Sequence, residues 1–179
     1  MPFVILGLLL SGPLSLYDLH KRFRAGVSLF YSASYGSIQR NLAQLVAQGD
    51  VTVEEDAGSA RGRKIHTITP AGRAHWHAWM LAPIPAGADA ETILLAKVFL
   101  LGRLDSAEDR RRVIRAAREQ AASTLAELDG VRRELDTQAP SLAAEHREVF
   151  TYQRAVLEYG LRTARLAVEW IGELDEDVR

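Results

Sequence analysis

Arg61, Arg63 and Lys64 place three cations within four residues. They close a run of small residues, Asp56-Ala-Gly-Ser-Ala-Arg-Gly62, whose composition is that of a tight, exposed tip. Cations at such a tip suit contact with phosphate or with an adjacent minor groove. A second set begins at Ser34. Ser34, Gly36 and Ser37 are small, and small residues at a helix start let backbone N–H groups approach an anion. Gln39, Arg40, Asn41 and Gln44 follow, off or beside the apolar stripe of the same segment. Arg can read a guanine edge, and Gln or Asn an adenine edge. Each residue alone also suits a solvated surface. Together, in this order, they point to nucleic acid.

Catalytic constellations are missing. There is no Cys, which removes thiolate metal sites, thiol redox chemistry and a Cys nucleophile. His75 and His77 are two apart on a helical stretch and point away from each other, so metal sharing is not expected. The sequence Gly58-Ser-Ala-Arg-Gly-Arg-Lys64 lacks phosphate-loop spacing and lies at a hairpin tip. Glu54-Glu55-Asp56 reads as a solvated strand end. Arg110-Arg111-Arg112, with Glu108 one turn before Arg112, reads as a solvated helix face. The expectation is a protein that is not an enzyme and holds no metal or cofactor.

The elements that must position these residues follow from periodicity. A first helix covers about 3–11. Ser15 caps a second, with Asp18 at the third position of a capping box; it carries Leu16, Leu19 and Phe23 and ends near Gly26. Ser34 caps a third, about 35–48, whose Ile38, Leu42 and Leu45 form one buried stripe. Gly49 stands where a left-handed residue ends a helix. Val51–Glu55 and Lys64–Thr69 alternate like strands and form a hairpin. Thr69-Pro70 then starts a fourth helix, with Thr as cap and Pro in the first turn.

Leu81-Ala-Pro-Ile-Pro-Ala-Gly-Ala88 breaks the composition, and no strand signal appears beyond it. Asp89 caps a short apolar helix. A long charged helix runs from about 106 to 137, and after Pro140-Ser141 a last one reaches about 174. At 1.5 Å per residue, each long helix spans roughly 45–50 Å. Leu125, Leu128 and Leu135 on one, and Val149, Val156, Ala164, Val168 and Ile171 on the other, need partners. Pairing within the chain covers part of this surface, and a second chain is expected to cover the rest. The division is 1–81 for the first domain, 82–88 for a linker and 89–179 for a helical domain.

The 179 residues, 47% hydrophobic and 25% charged, are those of a globular chain with one large or two small domains. The net charge of -1 hides an asymmetry. Residues 1–80 carry 8 basic against 5 acidic side chains, and residues 81–179 carry 14 against 18. A basic front on an acidic rear suits a nucleic-acid-facing module joined to one that faces away. The apolar start Phe3-Val-Ile-Leu-Gly-Leu-Leu-Leu10 has no basic flank and is too short to span a bilayer. No membrane partner is expected, and the reading is cytoplasmic.

Three short helices and a two-stranded hairpin match a winged helix-turn-helix. The residues that carry the pattern are Ile5-Leu-Gly-Leu-Leu, Gly12-Pro-Leu-Ser-Leu-Tyr-Asp-Leu, Ser34-Tyr-Gly-Ser-Ile, Leu42-Ala-Gln-Leu, Gly49, Arg61-Gly-Arg-Lys and Thr67-Ile-Thr-Pro-Ala-Gly72. This combination resembles the PadR family of transcriptional regulators. Leu94-Leu-Ala-Lys-Val-Phe-Leu-Leu-Gly102, followed by long helices, resembles its larger subgroup, which has a C-terminal helical dimerisation domain. The resemblance implies a mainly α fold: a winged helix with a two-stranded β-wing, then an antiparallel long-helix domain. It implies a homodimer, paired through the C-terminal helices, that binds a near-palindromic double-stranded operator, usually as a repressor. It implies that Tyr17 and the start of the third helix, Tyr35 included, face DNA with Lys64 alongside. Two positions depart from the pattern. Leu16 stands where the family often has Gly, and Gln39 where it often has Tyr.

Some members of that family bind small aromatic or cationic effectors. Trp76, Trp79 and Trp170 are the candidates for such a site, since aromatic rings stack on flat ligands and attract cations. The competing reading for all three is core or interface packing, and Trp76 and Trp79 have the i, i+3 spacing of core residues. Two other functions remain open on sequence: a winged helix used as a protein-interaction module, and a small-molecule-binding helical protein.

Overall fold

The computed structural model describes residues 1–56, 62–141 and 143–177. The elements are α1 (Pro2–Leu9), β1 (Leu14–Ser15), α2 (Leu16–Ala25), α3 (Tyr35–Ala47), β2 (Val51–Glu55), β3 (Lys64–Ile68), α4 (Pro70–Leu81), α5 (Ala90–Leu100), α6 (Ala107–Gln138) and α7 (Arg147–Asp177). They form two compact units. The first is Met1–Pro83 with Glu91–Val113; the second is Ile84–Ala90 with the chain from Ile114 onward. Among the described residues no helix is long and apolar enough to cross a membrane.

Side-chain hydroxyls set three helix starts in the first unit. Ser15 Oγ accepts from Asp18 N–H at 3.2 Å, Ser34 Oγ from Ser37 N–H at 3.1 Å, and Thr69 Oγ1 from Gly72 N–H at 3.0 Å. Each satisfies a backbone donor that the first turn leaves open. Helix α1 is buried nearly all round. Gly7 is what admits its neighbours: a Cβ there would lie 2.7 Å from the Leu100 side chain and 2.9 Å from Trp76 Nε1. Around α1 collect Leu19 and Phe23 of α2, the Ile38, Leu42 and Leu45 stripe of α3, and Met80 of α4. Helix α5 also belongs here, with Leu94 and Leu100 buried and Phe99 packed on Phe30 at 5.5 Å.

The hairpin of β2 and β3 has the expected strands, Val51 opposite Ile68 and Glu55 opposite Lys64. The sheet has a third strand as well. Leu14 and Ser15 pair with His66 and Ile65, giving the antiparallel order β1-β3-β2. A two-residue strand has no periodicity to announce it. The hairpin's base is closed tightly. Thr69 N–H donates to Asp50 O at 2.9 Å, Thr69 Oγ1 donates to Gly49 O at 2.8 Å, and His75 Nδ1 lies 2.7 Å from Asp50 Oδ1. Gly49 has φ +77°, which L side chains rarely adopt.

In the second unit α6 and α7 run antiparallel. Asp136 pairs with Arg154 at 2.9 Å, while Asp129, further back on α6, faces Arg165, further along α7. Gly160 lets the helices approach, since a Cβ there would touch Leu128 at 3.5 Å. The residues of α7 expected to share one apolar set divide between two faces. Ala164 and Ile171 are buried and Val168 is half-buried, but Val149 and Val156 are exposed. With Val149 and Val156, the residues Tyr152, Tyr159 and Leu166 complete an exposed stripe at alternating spacings of three and four, save for one seven-residue step. Those are the spacings that a coiled-coil seam uses. Arg110 also departs from a purely solvated face: it is half-buried and donates to the carbonyls of Leu104 and Asp105.

Candidate nucleic-acid interface

Helix α2 begins where β1 pairs with the wing strand, so its first turn is carried to the hairpin by the sheet. An open groove of about 470 Å³ forms there. Its walls are the α2 start from Ser15 to Asp18, Tyr35 at the start of α3, and Arg63 and Lys64 on the wing. Tyr17 is 68% exposed and Tyr35 45%, unusual for large side chains with a free choice of burial. The His20 ring stands edge-on to Tyr35, centroids 5.4 Å apart, and supports it from behind. Lys64 is exposed. Two tyrosines and a lysine therefore line one open cleft beside two helix N-termini, a set of residues that suits a phosphate.

Further along α3, Gln39 and Arg40 are exposed. Arg40 Nη1 lies 3.7 Å from where a Cβ on Gly36 would sit, so the guanidinium folds back along the first turn and adds charge there. Ser34 and Ser37 are engaged by the cap itself, Ser37 Oγ donating to Ser34 O at 2.8 Å. Asn41 is half-buried, and its amide donates to Ser37 O at 2.9 Å, which leaves its carbonyl oxygen for other partners. Arg61 lies outside the described residues.

Asp18 is the groove residue that sequence reasoning read only as a cap. Its Oδ2 accepts from Ser15 N–H at 3.3 Å, from Ser15 Oγ at 2.6 Å and from Arg63 Nη2. Arg63 Nη2 also reaches Ser15 Oγ at 3.3 Å. The hydrogen bond from Ser15, with those of Arg63, holds the Asp18 carboxyl below the usual carboxylate range against the opposing effect of burial. The capping box placed this carboxylate at the start of α2. What it meets across space depends on β1, which the sequence did not reveal. Behind the groove His66 is buried on β3 with Nδ1 3.3 Å from Leu14 O, and burial pushes its pKa down.

The tryptophans lie elsewhere. Trp76 is 3% exposed. Trp79 stacks on Phe3, centroids 5.1 Å apart and planes within 8°, and the Lys97 ammonium lies 5.4 Å from its ring centre. Trp170 is half-buried on α7, in the second unit. Lys97 is the most deeply buried of the ionisable groups among the described residues, and the sequence did not disclose it. It is 2% exposed, donates to Ala82 O, and burial pushes its pKa down to about 8. Among the described residues no group of three or more His, Cys, Asp or Glu is placed to hold a metal ion.

Residues 5–78 match the transcriptional regulator PadR-like family, and residues 92–178 match the virulence activator alpha C-terminal family. The chain therefore carries a PadR-like domain followed by a virulence activator alpha C-terminal domain. It is similar to the negative transcriptional regulator PadR of Bacillus subtilis (strain 168), at 24% identity over 96% of this chain and 93% of that one. Among solved structures it is similar to Bacillus subtilis PadR in complex with operator DNA, at 24% identity and a TM-score of 0.45, covering 99% of this chain and 98% of that one. It is also similar to the PadR-like regulator BC1756 of Bacillus cereus, at 22% identity and a TM-score of 0.41, covering 99% and 96%. This PadR-like chain is a transcriptional regulator and not an enzyme. Its winged helix is the fold of that family, with three strands in place of the expected two.

Proposed function

We propose that this PadR-like regulator is a homodimeric repressor that binds a near-palindromic operator through residues 1–81. The observation that carries the reading is the single groove where Tyr17, Tyr35 and Lys64 meet beside the starts of α2 and α3. In this reading Tyr17, Ser34, Tyr35 and Ser37 hold the phosphate backbone, and Gln39, Arg40 and Asn41 read base edges. Lys64 and Arg61 supply cations from the wing. Residues 82–88 act as a linker and 89–179 as the dimerisation region, while α5 lends its apolar face to the first unit. The exposed α7 stripe supports a second copy as partner, since two such seams cover each other. Pairing then holds the two α3 helices about one DNA turn, ~34–36 Å, apart.

A small aromatic or cationic effector that releases DNA completes the proposal. Trp170 is the tryptophan that favours it, because Trp76 is buried and Trp79 already has Phe3 and Lys97 against its ring. Saturable fluorescence quenching by planar aromatic acids or amines, lost in Trp170→Phe, supports that part; quenching unchanged by the substitution moves the site.

The test of DNA binding is fluorescence anisotropy on the duplex upstream of the chain's own gene, with excess unrelated DNA and varied salt. Binding that survives competitor at two chains per site supports the proposal. Lys64→Ala is expected to flatten the salt dependence by about one per chain. No binding at low salt overturns the reading.

A further inference from the structure

A carboxylate is costly in a groove meant for phosphate, because it repels the ligand. Asp18 stands in that groove beside Tyr17, Tyr35 and Lys64. Its charge is not idle there. One oxygen collects Ser15 N–H, Ser15 Oγ and the Arg63 guanidinium, and two of those donors sit on the residue that both begins α2 and pairs with β3. The cap of one helix and the residue that leads into wing strand β3 are thus tied at a single atom. We propose that Asp18 is a positioning residue for the wing: it latches Arg63 to the start of α2, withdraws that guanidinium from phosphate, and leaves Lys64 as the cation offered to the backbone at this groove.

The inference rests on the DNA-binding reading above and divides the wing's charges by role. Binding without regard to sequence is set by the number of phosphates that cations neutralise. Base edges are read by α3, which Asp18 does not touch. Removing one cation per chain from the phosphate count therefore weakens binding to every duplex alike and lowers its salt dependence, while the base contacts stand.

The test compares the full-length wild type with Asp18→Asn, Arg63→Ala, the double variant and Lys64→Ala. Asn keeps an acceptor for the cap and removes the charge. Each protein is titrated on the upstream duplex and on an unrelated duplex from about 50 to about 200 mM salt. Asp18→Asn is expected to steepen the salt dependence by about one per chain and to tighten binding to both duplexes by about tenfold or more at low salt. Adding Arg63→Ala returns slope and affinity to wild type. If Asp18 serves only as a cap, Asp18→Asn leaves the slope at the wild-type value, and the inference fails. It fails equally if the double variant has a slope flatter than wild type by about one per chain, because Arg63 is then a phosphate contact in the wild type. Failure of the wider reading looks different: the wild type itself binds neither duplex.

Discussion

Replacing Lys97 by methionine is expected to stabilise the protein at neutral pH, by an amount that fades in alkali. Lys97 is 2% exposed on α5, and among the described residues no carboxylate pairs with it. The Ala82 carbonyl and the Trp79 ring are what it has. Taking an ammonium out of water costs more than these return, so its pKa falls from 10.5 to about 8. At about 1.4 kcal/mol per pH unit, holding the charge in the fold costs about 3 kcal/mol below pH 8. Between pH 8 and 10.5 the unfolded chain keeps the proton that the folded chain has lost, so folding stability rises with pH across that window. Methionine has a similar length and no charge. Urea denaturation of both proteins at fixed concentration should give a variant more stable by about 3 kcal/mol at pH 7 and by about 1 kcal/mol at pH 10. The difference between the two pH values isolates the ammonium, since other groups titrate alike in both proteins. A variant less stable than wild type at pH 7, or an advantage equal at both pH values, refutes the argument.

Gly72→Ala should destabilise by on the order of 2 kcal/mol or more, read as a lower urea midpoint. The added Cβ would lie 2.2 Å from Asp50 O, a backbone atom fixed by the hairpin base. Ser34→Ala removes the α3 cap; it should cost about 1 kcal/mol in thermal unfolding and weaken operator binding by more than that alone explains. Val156→Glu with Tyr159→Glu puts charge into the exposed α7 stripe, and sedimentation should show dissociation to monomers with helicity retained. A dimer of unchanged affinity would place the seam elsewhere.

Helix starts were legible because a cap is local chemistry. Ser15, Ser34 and Thr69 each bond a backbone donor within three residues, and no tertiary information is needed to expect that. The β2–β3 hairpin was legible from alternation. What escaped depended on contacts between distant segments. Leu14 and Ser15 are extended only because β3 lies beside them, and Asp18 meets Arg63 only because of that strand. Lys97 sits in the apolar run Leu94 to Phe99, where a lysine reads as the one solvated position. Burial by α4 reverses this, through Trp79 and Ala82. On α7, the buried and exposed apolar residues alternate too closely for one stripe to be told from two without the fold. At the groove, Tyr17, Tyr35 and Lys64 were expected to face DNA from the resemblance, while the carboxylate among them was not.

The closed base of the hairpin has an evolutionary consequence. Thr69, His75 and Gly72 hold Gly49 and Asp50 from one side, and Asp56 N–H donates to Arg63 O at 2.7 Å at the far end of the β2–β3 ladder. The bonds that close the hairpin's base lie at the opposite end from that rung. The chain between Asp56 and Arg63 can therefore be lengthened or shortened at a cost of only about 0.6 kcal/mol per doubling, with the helices left in register. Descendants of one ancestor can thus explore new reach along a duplex by insertion at the tip, and explore new base preferences by substitution on α3. Neither search needs to undo the other.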